Sequence, residues 1–362
     1  MTVYKISVHK YTPTIQNPNV KNQTSCNGSA VAICVLGQVL LLTNEHVIRN
    51  SFEISTQIGS AIIQLVPVHT SAAHDLALLK IVKHELTELN LETLEFADHT
   101  IGEIIKIIGF PNNSLNKFIS TGLVGTLTEV SYNGIEPNLA LIIEITANPG
   151  NSGCPIINVQ NKIVGIVFGK TRHLCYAIPT TVIKHYIECF VSTKFIPQIG
   201  IYINKFNNTP VKNYYKNHKG EGILIKKSIY TTIHEGDYII TINHHKISND
   251  GLYFHDGQFY PFWATFKSKF AGDTISIQVL RNGIEISTEI TLESIRLESS
   301  VVIDNILFRS LSDSIDMSYN GHNFKIVAVN DNPTPVNLTT FCQTMSNRPT
   351  KLKFTTGDIM II

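Results

Sequence analysis

Short apolar runs rich in β-branched residues dominate the first half of this 362-residue chain. The clearest runs cover residues 29–36, 39–43, 61–68, 76–81, 103–109, 139–145 and 162–168, with Gly, Pro or Asn residues between them. Many short strands at close spacing, with almost no helical periodicity, are typical of an antiparallel sandwich or barrel. We therefore predict a mainly β fold for this region.

A helix is expected at the end of the β-rich region, over residues 179–190, with Pro179 in its first turn. Its apolar side chains repeat at helical spacing: Val182, Ile183, Tyr186, Ile187 and Phe190. A barrel followed by a closing helix is a complete structural unit. The first domain is therefore predicted to cover residues 1–192.

Composition and charge exclude several classes of protein. Lys and Arg number 29 and Asp and Glu number 28, so the chain is nearly neutral and lacks the basic surface that nucleic-acid binding requires. The longest apolar stretch, residues 31–42, falls short of the ~20 residues that cross a bilayer. No signal-peptide core is visible near the start, and the six cysteines show no CxxC spacing. The expected location is an intracellular, reducing compartment, with no membrane or nucleic-acid partner.

Two further regions follow the first domain. Residues 193–297 combine short strands with one inserted helix over 262–270, which suggests a small α+β module. Residues 298–362 are strand-rich, with a helix expected over 338–345. This tail is shorter than a typical domain, so we expect it to pack against the rest of the chain.

Three local motifs in the first domain carry candidate chemistry. Ser152 lies between glycine residues in NPGNSGCP, His46 follows an apolar strand in TNEHVI, and Asp75 precedes an apolar strand in HDLALLKI. Each motif alone is explained as well by a turn, a structural histidine or a capping aspartate. Together they give His, Asp and Ser in the chain order of the chymotrypsin-like double barrels. Their joint occurrence in an all-β region favours a catalytic triad.

With these motifs the chain resembles the Deg/HtrA family of PDZ-containing serine proteases, and is most similar to the plant-type intracellular members. The resemblance rests on TNEHVI, HDLALLKI, the GFP at 109–111, ITANPGNSGCP and YAIPTTVIKHYIE. It implies a chymotrypsin-like double β-barrel, a first PDZ domain over 193–297 and a degenerate second PDZ-like domain over 298–362. A long insertion at 251–263 and the VNDNPTPVN turn at 329–337 agree with this organisation.

The resemblance also assigns catalytic roles to individual residues. Ser152 would be the nucleophile, His46 the general base and then acid, and Asp75 the group that orients the imidazole ring. The backbone N–H groups of Gly150 and Ser152 would form the oxyanion hole. This chemistry needs no cofactor or metal, and no HExxH or paired Cys/His spacing offers a metal site. Activity is expected to fall as the pH drops through the ordinary histidine pKa of about 6.5.

Other positions are predicted to bind the polypeptide substrate. Val167, Phe168 and Gly169 would form a strand edge that pairs with the substrate backbone. The segment 143–149 has no acidic residue at the expected floor of the specificity pocket, so small or aliphatic P1 side chains are expected. One departure from the family pattern is Cys154, which follows Gly153 where the family usually has a second glycine. We interpret it as a small buried side chain.

The PDZ-like regions suggest regulation, tail binding or oligomerisation. Ile199, Gly200 and Ile201 would form a loop that binds a C-terminal carboxylate. The resemblance implies a homo-oligomer, either a trimer or a multiple of trimers, and a role in protein quality control. The leading hypothesis is an ATP-independent serine endopeptidase of unfolded or exposed polypeptides. The alternative is a catalytically latent or chaperone-like peptide-binding scaffold on a protease fold.

Overall fold

The computed structural model describes most of the first 294 residues and the backbone of the strands beyond them. The described residues are 2–12, 22–82, 91–110, 114, 116–132, 137–145, 151–171, 174–204, 222–294, 299–303, 306–311, 314–319, 322–329, 332–333, 351–354 and 359–361. Within them, no helix is both long and apolar enough to cross a lipid bilayer.

The first barrel closes six antiparallel strands in the order β1-β2-β3-β6-β5-β4. The strands are β1 (Val3–Thr12), β2 (Asn22–Val35), β3 (Gln38–Thr43), β4 (Ser51–Ile58), β5 (Ala61–Ser71) and β6 (Leu76–Ile81). A single helical turn, α1 (Glu45–Ile48), follows β3 at one end of this barrel. Closure leaves this sheet without unpaired edges.

The second barrel also closes six antiparallel strands, in the order β10-β11-β12-β9-β8-β7. They are β7 (Ile104–Gly109), β8 (Phe118–Ser131), β9 (Pro137–Glu144), β10 (Pro155–Asn158), β11 (Ile163–Lys170) and β12 (Cys175–Pro179). The predicted helix follows as α2 (Thr180–Ser192), with Pro179 at its N-cap and Thr193 in the left-handed region after its end. The helix is therefore found where it was predicted, except that Pro179 is the N-cap residue and does not belong to the first turn.

The two barrels share a hydrophobic core. One cluster of fully buried side chains joins Ile33 and Leu78 of the first barrel to Ile166 and Ile178 of the second. Tyr186 on α2 belongs to the same cluster, so the helix closes the space between the barrels. Burial of these apolar side chains is the main stabilising contribution, about 1.5–3 kcal/mol for each Leu, Ile or Val. The shared core fixes the loops of one barrel against those of the other.

A second module, residues 195–294, contains a sheet in the order β13-β14-β15-β19-β20, with β16 paired to β15. Its elements are β13 (Ile201–Asn204), β14 (Ile223–Ser228), β15 (Tyr238–Ile242), β16 (His245–Lys246), β17 (Leu252–His255), β18 (Gln258–Pro261), α3 (Ala264–Lys267), β19 (Thr274–Arg281) and β20 (Ile284–Thr291). The insertion predicted at 251–263 contains the β17–β18 hairpin and ends in Trp263, which is buried in the module core.

The inserted helix is shorter than predicted, because α3 covers only four of the nine residues in 262–270. The Ser268 hydroxyl donates to the carbonyl of Thr265, and Asp273 accepts the backbone N–H of Phe270. These side-chain bonds compete with a continued helical ladder. Phe262, before the short helix, and Phe266, within it, both pack into the module core.

The last described strands form a seven-stranded sheet in the order β21-β22-β23-β24-β26-β27, with β25 paired to β24. They are β21 (Ser299–Ile303), β22 (Ile306–Leu311), β23 (Ser314–Tyr319), β24 (His322–Val329), β25 (Asn332–Pro333), β26 (Lys351–Phe354) and β27 (Ile359–Ile361). The helix predicted over 338–345 lies outside the described residues.

Candidate active site

His46 and Asp75 form a close pair at the end of the first barrel. The imidazole Nδ1 lies 2.7 Å from Oδ2 and 3.0 Å from Oδ1 of Asp75, and the backbone N–H of His46 donates to Oδ1 at 2.9 Å. The Asp75 side chain is 3% exposed and that of His46 is 32% exposed. A buried carboxylate that accepts from Nδ1 leaves Nε2 as the nitrogen available to receive a proton.

The turn before β6 fixes the Asp75 backbone in an uncommon conformation. Asp75 has φ of +52°, in the left-handed region that Asp adopts more readily than most residues. Its carbonyl accepts from the backbone N–H of Glu45 at 3.1 Å and from Nδ2 of Asn44 at 3.0 Å. The turn that carries the aspartate is therefore bonded to the segment that carries the histidine.

Ser152 lies just before β10 in the second barrel, and its main chain is bonded to the first barrel. The backbone N–H of Ser29, in β2, donates to the Ser152 carbonyl at 2.9 Å. The Thr43 hydroxyl, at the end of β3, donates to the Ser29 carbonyl at 2.7 Å. Because β3 leads directly into the His46 segment, these bonds bring the serine loop to the end of the first barrel that holds the acid–base pair.

Among the described residues, the side chains of Ser152 and His46 are not hydrogen bonded to each other. In enzymes without substrate such bonds are often long and tighten only in the reacting complex. The described site therefore joins two of the three predicted residues directly and holds the third through its backbone.

The glycine after Ser152 is required by its surroundings. Gly153 has φ of +83°, and a Cβ built there would lie 1.9 Å from the Ser29 carbonyl oxygen and 2.5 Å from Thr43 Oγ1. Its N–H donates to the Val167 carbonyl at 2.9 Å. No residue with a side chain fits without displacing the backbone of β2. The close contact between serine loop and first barrel depends on this glycine.

Cys154 fills the space that Gly109 leaves open. The thiol is fully buried, and a Cβ on Gly109 would lie 1.8 Å from its sulfur. Burial raises the pKa of the Cys154 thiol to about 12, so it stays protonated and unreactive at neutral pH. The cysteine at this departure from the family pattern is thus a packing residue, complementary to the glycine of the GFP motif.

The structure describes only some of the positions that are predicted to form the oxyanion hole and to bind substrate. Gly150 and most of the predicted specificity segment lie outside the described residues. Val167 is buried and bonded to Cys154, whereas Phe168 is the bulged residue where β11 changes register against β12. Within β11, the residues that pair with β10 are Ile163, Gly165 and Ile166, so Phe168 and Gly169 extend beyond the end of that partner strand.

The predicted carboxylate loop lies at the start of β13 in the second module. Ile199 and Ile201 are buried, and Gly200 has φ of +63°. A Cβ on Gly200 would lie 2.5 Å from the Ile229 side chain, and the Gly200 carbonyl accepts from the Ile229 N–H at 2.9 Å. The loop is therefore packed tightly against the segment that follows β14.

One group of residues near the site is not predicted by the sequence motifs. His74 precedes Asp75 in the HDLALLKI motif, and its ring is hydrogen bonded to that of His185 on α2 at 3.1 Å. The signal in the sequence was a histidine in each of two motifs that carry the resemblance, HDLALLKI and YAIPTTVIKHYIE. Among the described residues, no group of three or more His, Cys, Asp and Glu is arranged to hold a metal ion.

The fold and these contacts define a double-barrel domain of the chymotrypsin-like class, and comparison with known proteins agrees. A family model described as trypsin-like peptidase domain matches residues 28–166. The Protease Do-like 2, chloroplastic, of Arabidopsis thaliana is 24% identical over 75% of this chain and 47% of its own length. The Serine protease Do-like HtrA of Bacillus subtilis is 26% identical over 71% of this chain and 61% of its own length.

Solved structures show the same fold. The HtrA-type protease AlgW, solved with a decapeptide, superposes with a TM-score of 0.60 at 19% identity and covers 81% of this chain and 95% of its own. The serine endoprotease from Yersinia pestis has a TM-score of 0.53 at 22% identity, over 81% and 94% of the two chains.

These comparisons confirm the predicted resemblance to the Deg/HtrA serine proteases, and residues 28–166 are similar to a trypsin-like peptidase domain. The chain spans about half to three fifths of the length of the two curated relatives. The predicted reducing intracellular location stays a prediction, since the first of these relatives is named as chloroplastic.

Proposed function

We propose that this chain is a serine endopeptidase in which Ser152, His46 and Asp75 act as the catalytic triad. The observation that carries the proposal is the buried Asp75 carboxylate 2.7 Å from Nδ1 of His46, at the barrel end to which the Ser152 backbone is bonded. A serine hydroxyl becomes a competent nucleophile when a neutral imidazole accepts its proton, and this geometry prepares such an imidazole.

In the proposed reaction, Ser152 Oγ attacks the carbonyl carbon of the scissile peptide bond while His46 Nε2 takes the hydroxyl proton. Asp75 holds the tautomer with hydrogen on Nδ1 and stabilises the imidazolium that forms. The backbone N–H groups of Gly150 and Ser152 would stabilise the oxyanion. His46 then gives its proton to the leaving amine, and water releases the acyl group from Ser152 by the same route.

The proposed substrates are unfolded or exposed polypeptides, cleaved without ATP. Phe168 and Gly169 extend beyond the end of β10, so they offer backbone groups for an extended substrate strand. Glu144 is exposed and lies early in the predicted specificity segment 143–149, which otherwise contains no acidic residue. We therefore propose small or aliphatic P1 side chains, and a peptide library profile dominated by Arg or Lys would contradict this specificity.

The regions 193–297 and 298–362 are proposed to be a PDZ domain and a degenerate PDZ-like domain. Ile199, Gly200 and Ile201 precede or begin β13, which is an edge strand of the sheet that the described residues form, and a C-terminal peptide would add a strand there. We propose that these modules bind tails, regulate the protease or mediate a trimer or a multiple of trimers. Sedimentation of the full chain tests the last point, and a monomer at all concentrations would contradict it.

The central test is cleavage of casein, as a model unfolded protein, by the full chain and by Ser152→Ala. We expect cleavage by the wild type, loss of at least about a thousandfold in the variant, and an unchanged melting temperature. Ser131→Ala, an exposed serine on β8, is the matched control and should keep full activity. Equal behaviour of the wild type and Ser152→Ala would instead favour a latent or peptide-binding scaffold.

A further inference from the structure

A continuous chain of hydrogen bonds runs from the turn beside the active site to the second module. Ser71 Oγ lies 2.9 Å from Nδ1 of His74, and His74 Nε2 lies 3.1 Å from Nδ1 of His185. His185 Nε2 in turn lies 2.9 Å from the carbonyl oxygen of Lys269, which belongs to the second module. The chain thus crosses three parts of the molecule: the first barrel, α2 and the module.

The direction of these bonds follows from their last acceptor. A carbonyl oxygen only accepts, so His185 Nε2 must carry the hydrogen, and the Nδ1 of neutral His185 is an acceptor. His74 Nε2–H therefore donates to His185, and His74 Nδ1 accepts from the Ser71 hydroxyl. Burial lowers the pKa of both rings, which keeps them neutral as this arrangement requires.

This chain of hydrogen bonds passes through the residue next to the proposed catalytic aspartate. His74 is the residue before Asp75 and is 4% exposed, within the turn whose left-handed conformation aims the carboxylate at His46. A second contact holds the same turn, because Asn138 Nδ2 donates to the Ala73 carbonyl at 2.9 Å. The neighbouring Leu139 packs against the core of the second module. Two routes therefore join the turn to elements that touch the module.

We propose that His74 and His185 are positioning residues through which contact with the second module holds Asp75 in its catalytic orientation. This inference rests on the proposed protease function. When Lys269 accepts from His185, it selects the ring tautomer that can accept from His74. Without that carbonyl, His185 can adopt the tautomer with hydrogen on Nδ1. Two N–H groups would then face each other, so the hydrogen bond from His74 to His185 would be lost and the turn would no longer be held by it.

The packing around His185 supports a role in contact between the module and the helix. Its ring stacks on Phe270 of the module at 4.6 Å with an angle of 10° between the planes. The Trp263 Nε1–H of the module also donates to Glu129 on β8 at 2.8 Å. The module is thus held against α2 and the second barrel by further contacts besides the hydrogen bonds of the two histidines. A displacement of the module would change the partner of His185 directly.

Three substitutions at His185 in the full chain separate positioning from simple packing. His185→Phe keeps the ring that stacks on Phe270 and removes both hydrogen bonds. The side-chain oxygen of His185→Asn replaces the Nδ1 acceptor for His74, whereas the amide nitrogen of His185→Gln replaces the donor to Lys269. His69→Phe is the control, since the His69 ring stacks on Tyr186 and Phe190 of the same helix and takes no part in the chain.

We expect His185→Phe to lower kcat for a peptide substrate about tenfold, with KM within about twofold, because the change misorients a catalytic group without altering the binding site. His185→Asn should recover most of kcat and His185→Gln should not. Recovery by Gln alone, or losses of kcat that simply follow the fall in melting temperature, would overturn the proposal. His69→Phe should leave kcat and KM unchanged.

A second measurement does not depend on activity. In the nitrogen NMR spectrum of histidine-labelled protein, both His74 and His185 should be neutral with hydrogen on Nε2. Hydrogen on Nδ1 of either ring would overturn the proposed chain even in an active enzyme. Conversely, a protein that shows the expected tautomers but cleaves nothing would count against the proposed protease function and not against the proposed hydrogen bonds.

Discussion

The two halves of the candidate site are held in place by different kinds of interaction. The acid–base half is fixed by hydrogen bonds: the Asp75 carboxylate and carbonyl together accept from the backbone and side chain of the segment that carries His46. The serine half is fixed mainly by close packing, because Gly153 approaches the Ser29 carbonyl and Thr43 more closely than any side chain allows. The first half should therefore be sensitive to changes of charge and hydrogen bonding, and the second to changes of size.

The largest expected effect is that of Asp75→Asn, which keeps the size of the side chain and removes its charge. The amide no longer fixes the tautomer with hydrogen on His46 Nδ1, so kcat/KM for a fluorogenic peptide should fall roughly ten-thousandfold. Asp98→Asn is the control, because Asp98 is an exposed carboxylate paired with Lys184. A loss of less than about tenfold in Asp75→Asn would exclude Asp75 from the triad.

Gly153→Ala tests the serine half of the site, which is held by close packing. The new methyl group meets the Ser29 carbonyl oxygen at 1.9 Å in a left-handed backbone, so we expect a loss of about 3 kcal/mol in unfolding free energy together with loss of cleavage. Gly257→Ala is the matched control, since that glycine has φ of +78° and no atom within 4 Å of the added carbon. Its cost should be about 1 kcal/mol. Equal melting curves for the two variants would show that the packing argument is wrong.

A smaller effect is expected in the dependence of stability on pH. Burial lowers the pKa of His74 and His185 in the folded chain, so the unfolded chain binds protons first as the pH falls below about 6.5. The unfolding free energy from these groups should be highest above that pH and should decrease toward pH 5. Besides burial, the charged or titratable neighbours that influence the pKa values of this pair are His69, Lys267, Glu188 and Asp273.

Thermal melting between pH 7.5 and 5 measures this loss of stability. His185→Phe removes one of the two buried rings, so its melting temperature should depend less on pH than that of the wild type. Burial also lowers the pKa of His69, a half-buried ring outside the hydrogen-bond chain, so His69→Phe is the comparison for loss of a histidine that is not part of the pair. A steeper pH dependence in His185→Phe than in the wild type would contradict the assignment of a neutral buried pair.

The smallest effect is expected from thiol reagents. Cys154 is buried with a pKa raised to about 12, whereas Cys34 is exposed. Iodoacetamide at neutral pH should modify Cys34 in the folded protein, leave Cys154 unmodified and leave peptide cleavage unchanged. Mass spectrometry of the modified peptides checks both sites. Modification of Cys154 at a rate similar to Cys34 would show that the catalytic loop opens readily.

Much of the fold and the main candidate residues could be predicted from the sequence. Apolar runs of strand length, separated by turn residues, indicated an antiparallel sandwich or barrel, and the resemblance to the Deg/HtrA family implied a double barrel. Both barrels are present. The helix after β12 was predicted within two residues at its end, since its apolar spacing and its proline are local signals. Likewise, His46 and Asp75 were paired from motifs alone, and the structure brings them together.

Other features depend on residues that are far apart in the sequence. The short α3 follows from side-chain bonds that no periodicity reveals, and Cys154 is accommodated because Gly109 lies opposite it on β7. His74 and His185 are separated by 111 positions, so only folding brings their rings to hydrogen-bond distance.

The strand pattern, the closing helix and the residue types of a possible triad follow from the amino-acid order, because they depend on local spacing and side-chain chemistry. The contacts depend on folding: the buried carboxylate meets its histidine, the glycine meets the neighbouring strand, and the histidine pair meets the second module. This is so because hydrogen bonds and close contacts act over a few ångströms, and those distances are set by the packing of the barrels, α2 and the module against one another.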